Sequence, residues 1–61
     1  MSLLPFLHRV MNKESLSVGD ARLAMAVILA GEASTAQIAA FATALRMKGE
    51  TADELRGLAL A

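Results

Sequence analysis

A hydroxyl residue, a proline-free run and a closing glycine recur in this order and divide most of this sequence into helices. Ser17 begins a run that ends at Gly31, and Ser34 begins one that ends at Gly49. A Ser or Thr hydroxyl accepts a hydrogen bond from an open amide of the first helical turn, and glycine readily adopts the left-handed conformation that ends a helix. Thr51 begins a third run. The pattern predicts helices over residues 18–30, 35–48 and 52–61.

A further helix is predicted before these three, over residues 3–11. Ser2 can cap it, and Pro5 falls in the first turn, where its missing amide proton costs no hydrogen bond. Its apolar residues share one face: Leu3, Phe6, Leu7, Val10 and Met11. Alanine and leucine supply much of the 56% apolar share, which favours helix over strand. We predict an all-α fold, a small orthogonal bundle of four short helices that forms a single domain over residues 1–61.

The chain is short for an independent fold. A domain of 61 residues buries only about 60% of the surface that its unfolded chain exposes. The hydrophobic gain is then comparable to the conformational entropy lost on folding. Cysteine is absent, so neither disulfides nor thiolate metal sites can add stability. Additional stabilisation by a partner is therefore expected.

The second predicted helix is apolar on every side. Only Asp20 and Arg22 are charged between Val18 and Gly31. A helix of this kind is normally buried all round, which four short helices can hardly achieve. The third predicted helix adds a side of small residues at which another helix could approach closely. We predict a helix-packing interface with these candidate contacts: Leu23, Val27, Phe41 and Met47. The alternative is that all apolar residues fill one core, with some exposure left over.

Composition and motifs exclude several function classes. The net charge is zero, so the basic excess of nucleic-acid and anionic-membrane binding is missing. Residues 35–39 resemble the opening of a DNA-reading helix-turn-helix unit, but the helical pattern continues without the expected glycine turn. His8 is the only histidine, and the scattered glycines form no phosphate-binding loop. We predict no catalytic, cofactor-binding or metal residues, and no nucleic-acid or membrane partner. A cytoplasmic protein is the default expectation, because no secretory-signal pattern is recognisable.

Several short segments, in this order, resemble a known family. They include Leu4-Pro5-Phe6-Leu7, Ile28-Leu29-Ala30-Gly31-Glu32, Gln37-Ile38-Ala39-Ala40-Phe41 and Leu45-Arg46-Met47-Lys48-Gly49-Glu50-Thr51. The series resembles the amino-terminal helical domain of the anthranilate phosphoribosyltransferase family, which belongs to the nucleoside phosphorylase superfamily. The segment from Leu45 to Thr51 is the most specific and favours this family over the pyrimidine nucleoside phosphorylases. Leu23, Ala42 and Leu60 depart from the expected pattern.

The resemblance implies that the chain is part of a longer enzyme. In the family, this helical region packs on a larger α/β domain and contributes to the homodimer interface. The full-length enzyme transfers phosphoribose from phosphoribosyl pyrophosphate, with magnesium, onto anthranilate. Its phosphate motif and most substrate-binding residues lie downstream of the matched segment. We therefore expect a packing and dimerisation domain that is inactive alone and binds no cofactor itself. The alternative is a stand-alone or engineered self-association module with no metabolic role.

Overall fold

The computed structural model describes residues 1–61 and contains four α-helices and no strand. The helices are α1 (Leu4–Met11), α2 (Val18–Leu29), α3 (Thr35–Lys48) and α4 (Ala52–Leu60). The predicted helices agree with these bounds to within one residue at each end. The all-α class is confirmed.

Side-chain caps begin three of the helices. The Ser34 hydroxyl accepts from the Gln37 amide at 3.1 Å, and the Gln37 side chain accepts from the Ser34 amide at 3.2 Å. Thr51 and Glu54 form the same reciprocal pair at 3.0 and 2.9 Å. The Ser17 hydroxyl also caps α2. Each cap satisfies amides that the helix leaves open, which explains why the predicted starting points were accurate.

The first turn of α2 is also tied to α1. Asp20 donates its amide proton to the Ser17 hydroxyl at 3.1 Å, but its carboxylate does not bond back to the Ser17 amide to complete a capping box. The carboxylate instead accepts from the Arg9 guanidinium at 2.8 Å. This ion pair links the end of α1 to the start of α2. Both side chains are about one-third exposed, so the contribution to stability is about 1 kcal/mol or less.

Two helices end in the same left-handed turn. At the end of α2, Gly31 has φ 74° and donates to the Ile28 carbonyl, while the Glu32 amide donates to Val27, both at 3.1 Å. This is the six-to-one and five-to-two hydrogen-bond pattern of a Schellman motif. The end of α1 repeats it with Lys13, at φ 62°, in the glycine position. A lysine there is less favourable than a glycine because its Cβ crowds the backbone.

The bundle consists of two closely packed helix pairs, α2 with α4 and α1 with α3. Gly57 permits the approach of α4 to α2. A Cβ added to Gly57 would overlap the Val18 carbonyl oxygen and lie 2.6 Å from the Ala21 Cβ. Close packing of two helices at a glycine thus occurs within the chain itself, between α2 and α4.

One apolar core fills the space between the helices. Its buried residues are Leu3, Phe6, Leu7, Val10, Leu16, Ala21, Ala24, Val27, Phe41 and Leu45. Met11 was predicted to share the inner face of the first helix, but it is exposed. It is the last residue of α1, where the backbone turns away towards α2. None of the four helices is long and apolar enough to cross a membrane.

Candidate interaction surface

The structure brings together no constellation of catalytic side chains. His8 is exposed, and no three His, Cys, Asp or Glu side chains lie close enough to hold a metal ion. The adjacent acids Asp53 and Glu54 point into different environments, because Asp53 is exposed and Glu54 is buried. The concave features of the molecule are apolar instead.

The main concave feature is a shallow depression between the end of α1 and the outer side of α3, here called the α1–α3 groove. It consists of two adjoining parts of about 300 and 370 Å³. The residues that line it are Val10, Met11, Lys13, Ala39, Ala40, Thr43, Ala44, Met47 and Lys48. Small residues of α3 form its floor, so a helix or a bulky apolar side chain could approach closely.

Two methionines border both parts of the α1–α3 groove. Met11 is 62% exposed and Met47 is 82% exposed. Methionine is flexible and polarisable, and it adapts to partner surfaces of different shapes. Two such side chains beside an alanine-rich floor form an exposed apolar patch.

The four predicted contact residues divide into two pairs. Met47 lies in the α1–α3 groove, and Leu23 is 45% exposed on α2. Val27 and Phe41 are each only 2% exposed and belong to the chain's own core, so the prediction that they face a partner is wrong. The physical reason lies in α2 and α3, whose apolar residues surround each helix. A helical wheel places residues on sides but does not tell which side the neighbouring helices will cover.

A set of exposed leucines, separate from the α1–α3 groove, lies on α2 and α4. Its members are Leu23, Leu29, Leu55 and Leu60, each about half exposed or more. Single exposed leucines are common on folded proteins. Four on one closely packed helix pair are more exposed apolar surface than is usual for so small a domain. Excess apolar surface is therefore present on both helix pairs, and it includes two of the four predicted contact residues, Leu23 and Met47.

One polar cluster is centred on a fully buried carboxylate, that of Glu54. Glu54 is 0% exposed, and its Oε1 accepts from the Lys48 ammonium at 2.7 Å and from the Thr51 amide at 2.9 Å. Its Oε2 accepts from the Leu16 amide at 2.8 Å. The Lys48 ammonium also donates to the Gly49 carbonyl at 3.0 Å, and only 7% of its side chain is exposed. Every polar atom of the cluster thus has a partner, as a buried charge requires.

These contacts determine the pKa of the Glu54 carboxyl. Burial raises the pKa, but the hydrogen bonds from Lys48 and from the Leu16 and Thr51 amides outweigh burial. The pKa is lowered from its ordinary value of 4.5, so the carboxylate form is favoured. In the sequence, Glu54 stands three residues after Thr51, a spacing that indicates only a capping role. Its hydrogen bond to the Leu16 amide joins residues 38 positions apart, and no local sequence pattern predicts such a contact.

Comparison with known proteins identifies the class to which this bundle belongs. The family model described as "Glycosyl transferase family, helical bundle domain" matches residues 4–61. The chain belongs to this family. No solved structure gave a significant match.

Three similar proteins carry the same enzyme name. Over 61 residues the chain is 61% identical to an anthranilate phosphoribosyltransferase of Solibacter usitatus, covering 100% of this chain and 18% of the relative. It is 49% identical over 55 residues to that of Rhizobium rhizogenes, covering 90% and 16%. It is 53% identical over 53 residues to that of Moorella thermoacetica, covering 87% and 16%. The chain thus spans less than a fifth of the length of these relatives and corresponds to their amino-terminal region.

Proposed function

We propose that these 61 residues are the helical packing and dimerisation domain of an anthranilate phosphoribosyltransferase, inactive when isolated. The observation that carries the proposal is the match of the entire chain, at 61% identity, to the amino-terminal region of a relative with that name. The full-length protein would transfer phosphoribose from phosphoribosyl pyrophosphate to anthranilate. The role of this segment is assembly through apolar surface that its own core leaves uncovered.

The α1–α3 groove is the surface that best suits a second copy of the chain. The zero net charge means that two copies do not repel each other strongly. Met11 and Met47 of each copy would be covered, at a gain of about 1.5–3 kcal/mol for a fully buried side chain. Association costs about 4–15 kcal/mol in lost freedom of motion, so these methionines alone support only weak pairing. We therefore expect the isolated segment to associate reversibly and in a concentration-dependent manner.

The leucine set on α2 and α4 is proposed to pack against the remainder of the full-length enzyme. The relatives are more than five times as long as the matched segment, so ample chain exists to cover it. Covering Leu29, the most exposed of the four, removes an unfavourable contact with water. Leu23 keeps its predicted role as an interface residue under this assignment.

Inactivity in isolation is proposed because no side chains here could perform the reaction. The magnesium implied for the full-length enzyme fits no residue set in this chain, so no step is assigned to it. The purified 61-residue chain, mixed with anthranilate, phosphoribosyl pyrophosphate and magnesium, should leave anthranilate fluorescence unchanged. Turnover that follows the peptide through successive purification steps would refute this part of the proposal.

Self-association is tested by sedimentation equilibrium over a wide concentration range. The unchanged chain should show an average mass that rises with concentration, and Met47→Glu should suppress that rise by placing a charge in the groove. Ala42→Glu is the matched control, since Ala42 is exposed on the same helix and does not line the groove. A strictly monomeric chain at every concentration, or equal association of the Met47 and Ala42 variants, would contradict the proposed pairing.

A further inference from the structure

The buried Glu54 carboxylate connects three segments of the chain at one point. It bonds to Lys48 at the end of α3, to the Thr51 amide at the start of α4 and to the Leu16 amide between α1 and α2. A carboxylate in contact with three donors from separate segments constrains all three positions at once. Charge-assisted hydrogen bonds of this kind are shorter and stronger than neutral ones.

Two of these segments form opposite walls of the α1–α3 groove. Lys48 lines the groove directly, and its ammonium is held by Glu54 at 2.7 Å. Lys13 lines the groove from the α1 side, three residues before Leu16, whose amide is held at 2.8 Å. The buried Leu16 side chain also anchors this connection in the core. One carboxylate therefore bonds to both of the segments that contribute residues to the groove.

We propose that Glu54 is the positioning residue of the α1–α3 groove, holding the end of α1 and the end of α3 at the separation that a second copy of the chain requires. The proposal rests on the proposed function for the identity of the occupant. The position of the walls, however, can be measured without any partner. Glu54 touches no occupant itself and acts only through Lys48 and through the Leu16 amide.

The Glu54→Gln substitution removes the negative charge of the side chain and keeps its length and shape. Glutamine has the same length, but its one carbonyl oxygen can replace only Oε1, which accepts from Lys48 and Thr51, or Oε2, which accepts from Leu16. Its NH2 group then faces a donor at the other position, and the negative charge is lost. The Lys48 ammonium is left almost fully buried without an anion, and such a group seeks water. The groove that Lys48 lines offers its ammonium an opening to water. The groove wall is then expected to shift.

The test uses methyl-labelled methionine and nuclear magnetic resonance, because Met11 and Met47 line the groove while Met1 and Met25 do not. In the Glu54→Gln variant, both groove methyl signals should move, and those of Met1 and Met25 should stay in place. The matched control is Asp53→Asn, which removes the same charge from the adjacent exposed position. Measurements at low concentration report the monomer, so they do not depend on pairing.

The second measurement is the association constant of the same variants. Glu54→Gln should weaken self-association about tenfold, equivalent to 1.4 kcal/mol, while Asp53→Asn leaves it unchanged. Far-UV circular dichroism must show that the variant keeps its helices. If it does not, Lys48→Leu replaces it, with Met11 as reporter because Met11 lies on a different helix.

The outcomes separate this inference from the proposed function. A folded variant whose groove methyl signals do not move would overturn the positioning role, whatever its association constant. The groove methyl signals of the variant could move even though the unchanged chain does not self-associate. That result would support the positioning role and refute pairing through the groove. Equal movement of all four methionine signals would indicate general loosening and would also overturn the inference.

Discussion

Gly57 and Gly19 are both helical glycines, and the structure predicts opposite effects when each is replaced by alanine. In α4, a Cβ on Gly57 would overlap the Val18 carbonyl oxygen and approach the Ala21 Cβ to 2.6 Å. In α2, a Cβ on Gly19 would meet only the Ser17 hydroxyl oxygen, at 4.0 Å. The same substitution thus tests one crowded and one open position.

The magnitude follows from two competing terms. Alanine is favoured over glycine in a helix by about 1 kcal/mol. At Gly57 this gain is opposed by an overpacking cost of about 3 kcal/mol, at the high end of the usual range because backbone atoms of α2 cannot rotate away. The net loss is about 2 kcal/mol, a large share of the roughly 3–9 kcal/mol expected for a chain of this length. Gly19→Ala should stabilise by about 0.5 kcal/mol.

Thermal unfolding followed by circular dichroism measures both effects. We expect the Tm to fall by about 10 °C for Gly57→Ala and to rise by about 3 °C for Gly19→Ala. Both variants are compared at two protein concentrations, since self-association would itself raise the Tm. A Gly57→Ala variant as stable as Gly19→Ala would show that α2 and α4 are not in close contact, and the reasoning would fail.

Three further perturbations have distinct expected outcomes. Because the pKa of Glu54 is lowered on folding, its contribution to stability is complete above pH 4.5 and is lost as the pH falls through the folded-state pKa. Urea unfolding at a series of pH values should show this loss, and Glu54→Gln should reduce it; an unchanged pH profile would refute the assignment. Lys13→Gly should raise the free energy of unfolding by about 0.5–1 kcal/mol, because a residue with a Cβ is strained at φ 62°. A decrease in that free energy, measured by urea unfolding, would argue against the left-handed turn at Lys13. Phe41→Ala should cost about 3–5 kcal/mol, whereas Leu29→Ala should change stability by about 0.5 kcal/mol or less; equal effects in circular dichroism melts would contradict the described core.

The helices and their bounds were accessible from the amino-acid sequence because capping is local. Ser34 with Gln37, and Thr51 with Glu54, form hydrogen bonds between residues three positions apart. Gly31 ends α2 through bonds to carbonyls in the preceding turn. Such contacts depend on neighbouring residues alone, so each hydroxyl, amide or glycine can be identified without knowledge of the rest of the fold. The family resemblance was accessible for the same reason, since it rests on contiguous segments.

Tertiary packing decided which apolar residues are buried and where the one buried carboxylate lies. The sequence of α2 does not distinguish Val27 from Leu23, whereas the packed bundle buries Val27 in the core and leaves Leu23 45% exposed. Glu54 is buried because its partner amide arrives from the distant segment between α1 and α2. Burial and long-range hydrogen bonds belong to pairs of elements rather than to either element alone, so only the assembled bundle determines them.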